Sequence, residues 1–332
     1  MRRLLLRSLR STDRSVHTVL DPIRLGLSVP QAAAILGRER PAAILTTGGY
    51  VAIPVMLAAR GLRIPVILWE GNVVPGRSAR ATARLAAAVA VSYPETCRTL
   101  NTAAERCFVT GTPIRRFDDI DPLLARAAFG VPAGQRLLLI FGGSQAVRRF
   151  NAAVAEALPR LVERVHVVHV TGDVGYAAAL AGRAALPTAL QDRYRPYPFL
   201  GDEMAAALAA ADLIVGRAGS STLAEATALG KPLVVVPYPH AAGHQRANAR
   251  RLVESGAARL VSDEAFDAAA LLDAVAILDD PNRHARMSAA SRELGRPGAA
   301  DAVARLVLAV ARREPLPDTG EIERVARSAG VR

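Results

Sequence analysis

Long apolar runs and paired cysteine motifs are scarce in this sequence. No run approaches the roughly 18 apolar residues of a transmembrane helix, and the run at residues 4–6 is cut by Arg7, too short for a signal peptide. Cys97 and Cys107 are the only cysteines and lack CxxC spacing. We therefore expect two reduced thiols that bind no metal, in a protein of the cytoplasm.

Aromatic and acidic residues are also few. Aromatic residues make up 4% of the chain and no nucleic-acid-binding motif is present, so few side chains could stack on bases and we expect no nucleic-acid partner. Basic residues outnumber acidic ones 42 to 30, which gives a net charge of +12. Residues 1–40 hold eight arginines and three acidic residues, mixed with leucine and isoleucine. This mixture suits an anionic membrane surface, and a solvated helix face explains it equally well.

Short apolar runs alternate with alanine-rich stretches along the whole chain. This is the rhythm of βαβ units, in which helices cover both faces of a parallel sheet. The 332 residues are enough for two such domains. The predicted strands are residues 42–45, 66–69, 88–91, 107–109, 137–141, 165–170, 213–215 and 233–236. The sequence thus predicts an α/β fold with two doubly wound parallel sheets.

A charged, turn-rich segment, GTPIRRFDDIDP, follows the fourth predicted strand and predicts the domain boundary. We place an N-terminal domain at residues 1–115 and a C-terminal domain at residues 116–300. Residues 301–332 are expected to form a helix and then a polar tail. The C-terminal domain begins with a strand and a glycine turn, RLLLIFGGSQA, as doubly wound domains usually do, whereas the N-terminal domain does not.

The most informative segment follows the seventh predicted strand and reads LIVGRAGSSTLAEATALG. Gly216 and Gly219 predict a turn, and residues 220–222 open a helix that carries Glu225 one turn further on. The first amide groups of a helix lack internal partners and carry the positive end of its dipole, so they suit a diphosphate. A carboxylate at this distance could accept both hydroxyls of a ribose. An ordinary capped helix is the alternative interpretation.

Two further turns follow strands of the first half. TTGGYVAIP places Gly48 and Gly49 at a strand end, with Tyr50 starting the next helix. ILWEGNVVPGRS places Glu70 and Asn72 after the following strand, where an acid and an amide could hold sugar hydroxyls or assist proton transfer. A polar cap of the turn explains this second pair equally well.

Three single features extend the candidate site. GGSQA at residues 142–146 has the geometry of a phosphate or sugar turn. Arg115 could reach a phosphate from the domain boundary. Gln245 offers a donor and an acceptor to a sugar ring.

Two spacings resemble those of metal ligands. His240 and His244 have the i, i+4 spacing of a zinc pair, but proline and glycine interrupt a helix there and no third ligand follows. Asp119 and Asp121 form a DxD motif, which acidic turn residues before a helix explain better than a metal diphosphate. We therefore predict neither a metal nor another cofactor.

Taken together and in this order, the motifs resemble those of the MurG family of glycosyltransferases (glycosyltransferase family 28) over about residues 1–310. They are GGYVAIP, WEGN, VTGTPIRR, GGSQA, FLGDEM, RAGSSTLAEATALG and HQRANA. The resemblance implies a GT-B fold, in which two Rossmann-like domains face a cleft. It also implies an inverting transfer of N-acetylglucosamine from UDP-N-acetylglucosamine to the C4 hydroxyl of the muramyl sugar of lipid I. The product would be lipid II for peptidoglycan synthesis, made by a peripheral protein at the cytoplasmic face of the cell membrane.

The same resemblance implies roles for individual residues. These are Asn72 beside the donor sugar, Arg115 and Ser144 at the diphosphate, Leu200 beside the uracil, Ser220, Ser221 and Thr222 along the phosphates, Glu225 at the ribose, Gln245 at the N-acetylglucosamine, and Glu70 and Tyr50 facing the acceptor. Glu70 is the candidate acid or base.

The sequence departs from the family pattern at several positions. His244 stands where the family has the first of two glutamines, WEGN replaces HEQN, and GGSQA ends in alanine. The opening strand and its GGTGGH loop are missing, so we expect a first domain that is incomplete through a truncated or misassigned start. Three alternatives stay open: a catalytically silent UDP-sugar-binding protein, a related transferase with another acceptor such as a diacylglycerol, and a UDP-sugar epimerase.

Overall fold

The computed structural model describes residues 17–100, 102–142, 147–239 and 243–328. The chain divides into two compact units, Met1–Pro113 with Gly298–Arg332, and Ile114–Pro297. The division after residue 113 falls two residues before the predicted boundary. The C-terminal segment groups with the first unit, whereas the sequence suggested a separate helix and tail.

The described residues form ten strands and fifteen α-helices. The strands are Ile44–Thr46 (β1), Val66–Glu70 (β2), Ala88–Val91 (β3), Cys107–Val109 (β4), Leu137–Phe141 (β5), His166–Val170 (β6), Tyr194–Tyr197 (β7), Leu213–Gly216 (β8), Leu233–Val235 (β9) and Ala258–Leu260 (β10). The helices are His17–Glu39 (α1), Ala52–Gly61 (α2), Arg77–Thr82 (α3), Pro94–Thr99 (α4), Pro122–Ala128 (α5), Val147–Arg164 (α6), Asp173–Ala184 (α7), Thr188–Gln191 (α8), Glu203–Ala210 (α9), Ser220–Ala228 (α10), His244–Glu254 (α11), Ala268–Val275 (α12), Pro281–Leu294 (α13), Ala299–Arg312 (α14) and Thr319–Arg327 (α15). Short 3₁₀ turns occupy Ala83–Leu85, Ala104–Arg106 and Ala276–Asp279. None of the described helices is both long enough and apolar enough to cross a membrane.

The first unit contains a four-stranded parallel sheet in the order β1-β2-β3-β4. Successive side chains of a strand point to opposite faces, and in β2 both faces are buried. Val66 and Leu68 pack with Met56 of α2, whereas Ile67 packs with Leu306 of α14. Burial on both faces explains why these strands are nearly continuous apolar runs.

The second unit contains a six-stranded parallel sheet in the order β10-β9-β8-β5-β6-β7. This is the Rossmann order, in which the direction of strand addition reverses between β5 and β8. In β5, Leu138 and Ile140 pack with residues of α6 and α12, and Leu137 and Leu139 pack with residues of α5, α9 and α10. The α/β fold with a parallel sheet in each half is thus confirmed.

All eight predicted strands are present, with ends shifted by at most two residues, but β7 and β10 were not predicted. β7 contains Pro196 and forms one edge of its sheet, where the missing N–H of proline is tolerated. β10 is three residues long and includes Arg259. Neither segment has the apolar pattern of a buried strand, so sequence alone carried no signal for them.

The prediction that Cys97 and Cys107 are reduced thiols was wrong. A disulfide joins the two residues, whose Cα atoms lie 5.9 Å apart. Cys97 is in α4 and Cys107 begins β4, and α4 packs on β3 and β4. The bond depends on a Cα distance that only the fold establishes, so the spacing along the chain gave no signal for it.

The predicted polar tail was also wrong, because a second helix, α15, follows α14. Ile322 and Ala326 of α15 are fully buried and pack with Phe108 of β4. The backbone N–H of Gly298, just before α14, donates to the Ala326 carbonyl oxygen at 3.0 Å. Ile322, Val325 and Ala326 have the i, i+3, i+4 spacing of one helix face, a short signal that the prediction of a polar tail overlooked.

Burial makes the second unit sensitive to acid through His169 of β6. The residue is 1% exposed, and its Nδ1 lies 2.8 Å from the Tyr194 hydroxyl oxygen. Burial lowers the pKa of His169 from 6.5 to about 3. Between these two values the unfolded chain binds a proton that the folded chain does not. The contribution of His169 to stability is therefore complete above pH 6.5 and is lost as the pH falls toward 3.

We expect His169→Asn, which keeps a polar atom near Tyr194, to remove this part of the pH dependence. The wild type loses part of its free energy of unfolding between pH 7 and pH 5, and His169 should account for about 2 kcal/mol of that loss. Urea unfolding at both pH values measures the change in the free energy of unfolding. A variant that loses as much stability as the wild type over this interval would contradict the prediction.

Candidate functional site

The carboxyl ends of β5 and β8 meet where the strand order reverses, which is where open α/β sheets bind ligands. Phe141 ends β5, Gly216 ends β8, and the two are register partners. A Cβ atom at Gly216 would lie 3.2 Å from the Phe141 carbonyl oxygen, so this position favours glycine. The GGSQA turn leaves the same end of β5, but its residues 143–146, with Ser144, lie outside the described residues.

Helix α10 begins at Ser220, shortly after β8, as predicted. Its N-cap residue is Gly219, which has no side chain that could accept a hydrogen bond from the first-turn amides. Ser220 and Thr222 are half-buried and Ser221 is exposed. The positive end of the helix dipole therefore lies at the strand-order reversal, where it favours a bound anion.

Arg115 and Glu225 are in direct contact, although 110 residues separate them along the chain. Arg115 Nε donates to Glu225 Oε1 at 2.7 Å. The Glu225 side chain is 12% exposed and that of Arg115 is 42% exposed. Glu225 Oε2 accepts no hydrogen bond from any described residue. The carboxylate thus keeps an oxygen for hydroxyl groups of a ligand, and the guanidinium keeps donors for an oxyanion.

Gln245 holds the segment that follows β9. Its Oε1 accepts a hydrogen bond from the backbone N–H of Tyr238 at 2.9 Å, and its amide nitrogen can still donate to a ligand. Helix α11 begins at His244 after Gly243, which has a φ angle of 80°. His240 lies outside the described residues.

Arg217, the first residue after β8, was not predicted as part of the site. It is 7% exposed and donates to the Val236 carbonyl oxygen at 3.1 Å and to Asp263 Oδ1 at 2.5 Å. Its guanidinium carbon also lies 4.8 Å from the centre of the Phe150 ring. These contacts tie the end of β8 to the residue after β9 and orient the turn into α10. The available signal was a charged residue placed directly after a buried strand.

The side chain of Leu200 lies in the core, and the predicted place of this residue beside a uracil stays a prediction. The residue is 4% exposed and packs in the core with Phe129, so only its backbone could meet a uracil base. The preceding residue, Phe199, is 75% exposed. This exposed ring was not predicted, although it stands in the same FLGDEM motif.

The turn after β1 in the first unit has two glycines with positive φ angles, 78° at Gly48 and 79° at Gly49. Other residues rarely adopt this conformation. Thr46 Oγ1 accepts from the Gly48 N–H at 3.2 Å. Tyr50 is 36% exposed, and α2 begins at Ala52, two residues later than predicted. The turn thus presents Tyr50 at the same edge of the sheet as the end of β2.

The Glu70 carboxylate closes the loop that follows β2. Its Oε1 accepts from the backbone N–H and from Nδ2 of Asn72, both at 3.0 Å, and its Oε2 accepts from the Gly76 N–H at 3.0 Å. Thr96 Oγ1 donates to the Asn72 carbonyl oxygen at 2.9 Å. Glu70 is 7% exposed. This geometry matches a polar cap of the turn that orients Asn72, and a role for Glu70 in proton transfer stays a prediction.

Asp121 caps helix α5, because its Oδ1 accepts from the Leu123 N–H at 2.8 Å. This bond confirms, for Asp121, the prediction of an acidic turn residue before a helix. Within residues 17–100, 102–142, 147–239 and 243–328, no group of three or more His, Cys, Asp or Glu residues could hold a metal ion.

Two parts of the chain match known domains. Residues 137–306 match the glycosyltransferase family 28 C-terminal domain, and residues 4–91 match the glycosyltransferase family 28 N-terminal domain. The UDP-N-acetylglucosamine--N-acetylmuramyl-(pentapeptide) pyrophosphoryl-undecaprenol N-acetylglucosamine transferase of Chlorobaculum parvum is 37% identical over 308 residues. The alignment covers 92% of this chain and 82% of that protein.

Solved structures resemble the chain as well. The crystal structure of Acinetobacter baumannii MurG has a TM-score of 0.70 and 29% identity, and the match covers 86% of this chain and 80% of that one. The UDP-GlcNAc 2-epimerase of Neisseria meningitidis, bound to UDP-GlcNAc, has a TM-score of 0.64 and 13% identity, over 90% of this chain and 84% of that one. The likeness to the epimerase shows the fold alone.

Proposed function

Because the chain belongs to glycosyltransferase family 28, we propose that it transfers N-acetylglucosamine from UDP-N-acetylglucosamine to lipid I. Lipid I is the N-acetylmuramyl-(pentapeptide) pyrophosphoryl-undecaprenol named for the relative that is 37% identical over 92% of the chain. The product is lipid II, used in peptidoglycan synthesis. The two parallel-sheet α/β units are those of the GT-B fold.

One feature of the second unit carries the proposal. The first turn of α10 lies at the strand-order reversal, and the Arg115–Glu225 pair joins this helix. A diphosphate needs amide donors and a cation, and a ribose needs an acceptor for its two hydroxyls; this arrangement supplies all three. We assign Ser220, Ser221, Thr222 and Arg115 to the diphosphate, Glu225 to the ribose and Gln245 to the N-acetylglucosamine.

In the reaction, the C4 hydroxyl oxygen of the muramyl sugar bonds to C1 of N-acetylglucosamine and releases its proton to the solvent. The bond from C1 to the diphosphate oxygen breaks, and the configuration at C1 inverts. Negative charge grows on the departing UDP, where the first-turn amides of α10 and the guanidinium of Arg115 stabilise it. Preorganised donors of this kind usually supply the largest part of the rate enhancement. Glu70 contributes by holding the amide of Asn72 beside the donor sugar.

We also propose that the protein works at the cytoplasmic face of the cell membrane, since an undecaprenyl acceptor resides in a bilayer. Arg38 in the last turn of α1 is exposed. Leu27 in the same helix is 57% exposed. Basic and apolar side chains together suit an anionic lipid surface. The arginines of residues 1–16 lie outside the described residues.

Mass analysis of a reaction with the full chain, UDP-N-acetylglucosamine and detergent-solubilised lipid I tests this function. We expect a lipid-linked disaccharide and one UDP per transfer, and neither product when lipid I is omitted. UDP binding without a new glycolipid would support the silent UDP-sugar-binding protein instead. An epimerised UDP-sugar formed without an acceptor would support the epimerase, which the 13% identity of the solved epimerase does not favour.

A further inference from the structure

The first unit contains a cavity of about 520 Å³ at the amino ends of β1 and β2. Its walls come from the ends of α1, α2 and α14 and from the segments that lead into the two strands. The turns that carry Tyr50 and Asn72 leave the carboxyl ends of the same strands. A five-residue strand such as β2 is about 13 Å long, so the cavity is separate from the site already described.

Three arginines that line this cavity share a rare backbone conformation. Arg40, Arg63 and Arg313 have φ angles of 45°, 56° and 58°, and they are the only non-glycine residues with positive φ in the described parts of the chain. Each stands where a helix ends: Arg40 follows α1, Arg63 follows the C-cap residue of α2, and Arg313 is the C-cap residue of α14. The left-handed conformation is unfavourable for a residue with a Cβ atom.

Three helices of the second unit end in the same conformation with glycine. The residues one beyond the C-caps of α5, α10 and α11 are Gly130, Gly230 and Gly256, with φ angles of 63°, 63° and 80°. Glycine is the usual residue at this position because it has no steric penalty there. Helix termination alone therefore does not require arginine at the three positions around the cavity.

The three guanidinium groups also have no partner among the described residues. No side-chain hydrogen bond or ion pair joins Arg40, Arg63 or Arg313 to any residue in these parts of the chain, and all three are exposed. No acidic residue lines the cavity. By contrast, Arg115 and Arg126 are each paired with a carboxylate.

The negative ends of the three helix dipoles offset only part of the positive charge of the three guanidinium groups. The carboxyl end of a helix carries about −0.5 charge, so three such ends contribute about −1.5. Three guanidinium groups outweigh them and leave the cavity positive. Arginine also offers a fork of donors that fits the oxygens of phosphate.

We propose that this cavity is an anion site for a phosphate monoester or diphosphate group, bound by Arg40, Arg63 and Arg313 together. The volume lies within the range of small-molecule sites. The group can belong to a soluble organic phosphate or to a lipid headgroup, since the chemistry of recognition is the same for both.

The test variant replaces Arg40, Arg63 and Arg313 with glycine, which removes the guanidinium groups and suits the backbone conformation. A control variant carries Arg84→Gln, Arg98→Gln and Arg106→Gln, which removes the same charge from exposed positions of the first unit. We expect both variants to melt close to the wild-type temperature. Calorimetric titration with inorganic pyrophosphate at low salt, with UDP at saturation to fill the diphosphate site of the second unit, measures affinity. The glycine variant should bind at least tenfold more weakly than the wild type and the control.

A flotation assay distinguishes the two sources of the phosphate. Vesicles of phosphatidylglycerol and of phosphatidylcholine are offered to the same three proteins. Loss of phosphatidylglycerol binding in the glycine variant alone would identify a headgroup, and loss of pyrophosphate affinity alone would identify a soluble ligand. The proposal is overturned if the glycine variant and the control bind both probes equally. A failure of UDP to bind would contradict the proposed transferase and leave this comparison between variants intact.

Discussion

Glu225→Gln should lower kcat/KM for UDP-N-acetylglucosamine about 100-fold, mostly through a higher KM. The substitution keeps the shape of the side chain but removes the charge that pairs with Arg115 and that, in the proposed site, accepts the ribose hydroxyls. A hydrogen bond to a charged group contributes about 1.5–3 kcal/mol. Weakening two such bonds to the ribose should cost about 3 kcal/mol, which corresponds to a decrease of about 100-fold in kcat/KM. Steady-state kinetics at varied donor concentration measures the effect.

A donor analogue that lacks the ribose 2′-hydroxyl shows whether Glu225 touches the pentose. The wild type should discriminate strongly against this analogue, and the Glu225→Gln variant should discriminate little, because the partner of the hydroxyl is already lost. Glu254→Gln is the matched control, since Glu254 also pairs with an arginine of the second unit but is largely exposed. Equal discrimination by Glu225→Gln and the wild type would remove Glu225 from the ribose site.

The strand, turn and helix that carry the candidate site in the second unit could be predicted from sequence because their signals are local. A buried strand, a glycine turn and a helix with early hydroxyl residues are adjacent in the chain, and the structure has β8, Gly219 and α10 in that order. The Rossmann strand order then places this turn next to the end of β5. Such arguments need only residue type and spacing.

The partners within the site could not be predicted, because they depend on distances that the fold creates. Arg115 was predicted to meet a phosphate. Its contact with Glu225 was not predicted, because the two residues are far apart in the sequence. Arg217 was overlooked because its partner, Asp263, follows it by 46 residues. The Cys97–Cys107 disulfide was missed for the same reason. In each case the residue type was visible, and the geometry that gives it a role was not.

Backbone conformation is a second property that residue patterns conceal. Arg40, Arg63 and Arg313 look like any other arginines of an arginine-rich chain. Only their φ angles and their common position around one cavity distinguish them. Glu70 is comparable, since two of the three groups that donate to it are backbone N–H groups of its own loop. Main-chain donors leave no trace in the sequence beyond a turn.

Glu70→Ala should destabilise the first unit by about 4 kcal/mol and abolish measurable transfer. The change leaves the N–H groups of Asn72 and Gly76 without the carboxylate that satisfies them, and each such loss costs about 1–3 kcal/mol. Urea unfolding gives the stability, with Glu105→Gln as a control at an exposed position of the same unit.

Glu70→Gln separates the two possible roles. The amide of this variant can accept a hydrogen bond from one side of the loop, but its NH₂ group meets a donor on the other side. If Glu70 acts by positioning Asn72, the variant should therefore lose stability and kcat and keep the pH profile of the wild type. If Glu70 instead removes the acceptor proton, Glu70→Gln should in addition change the pH dependence of kcat/KM, because the base is lost.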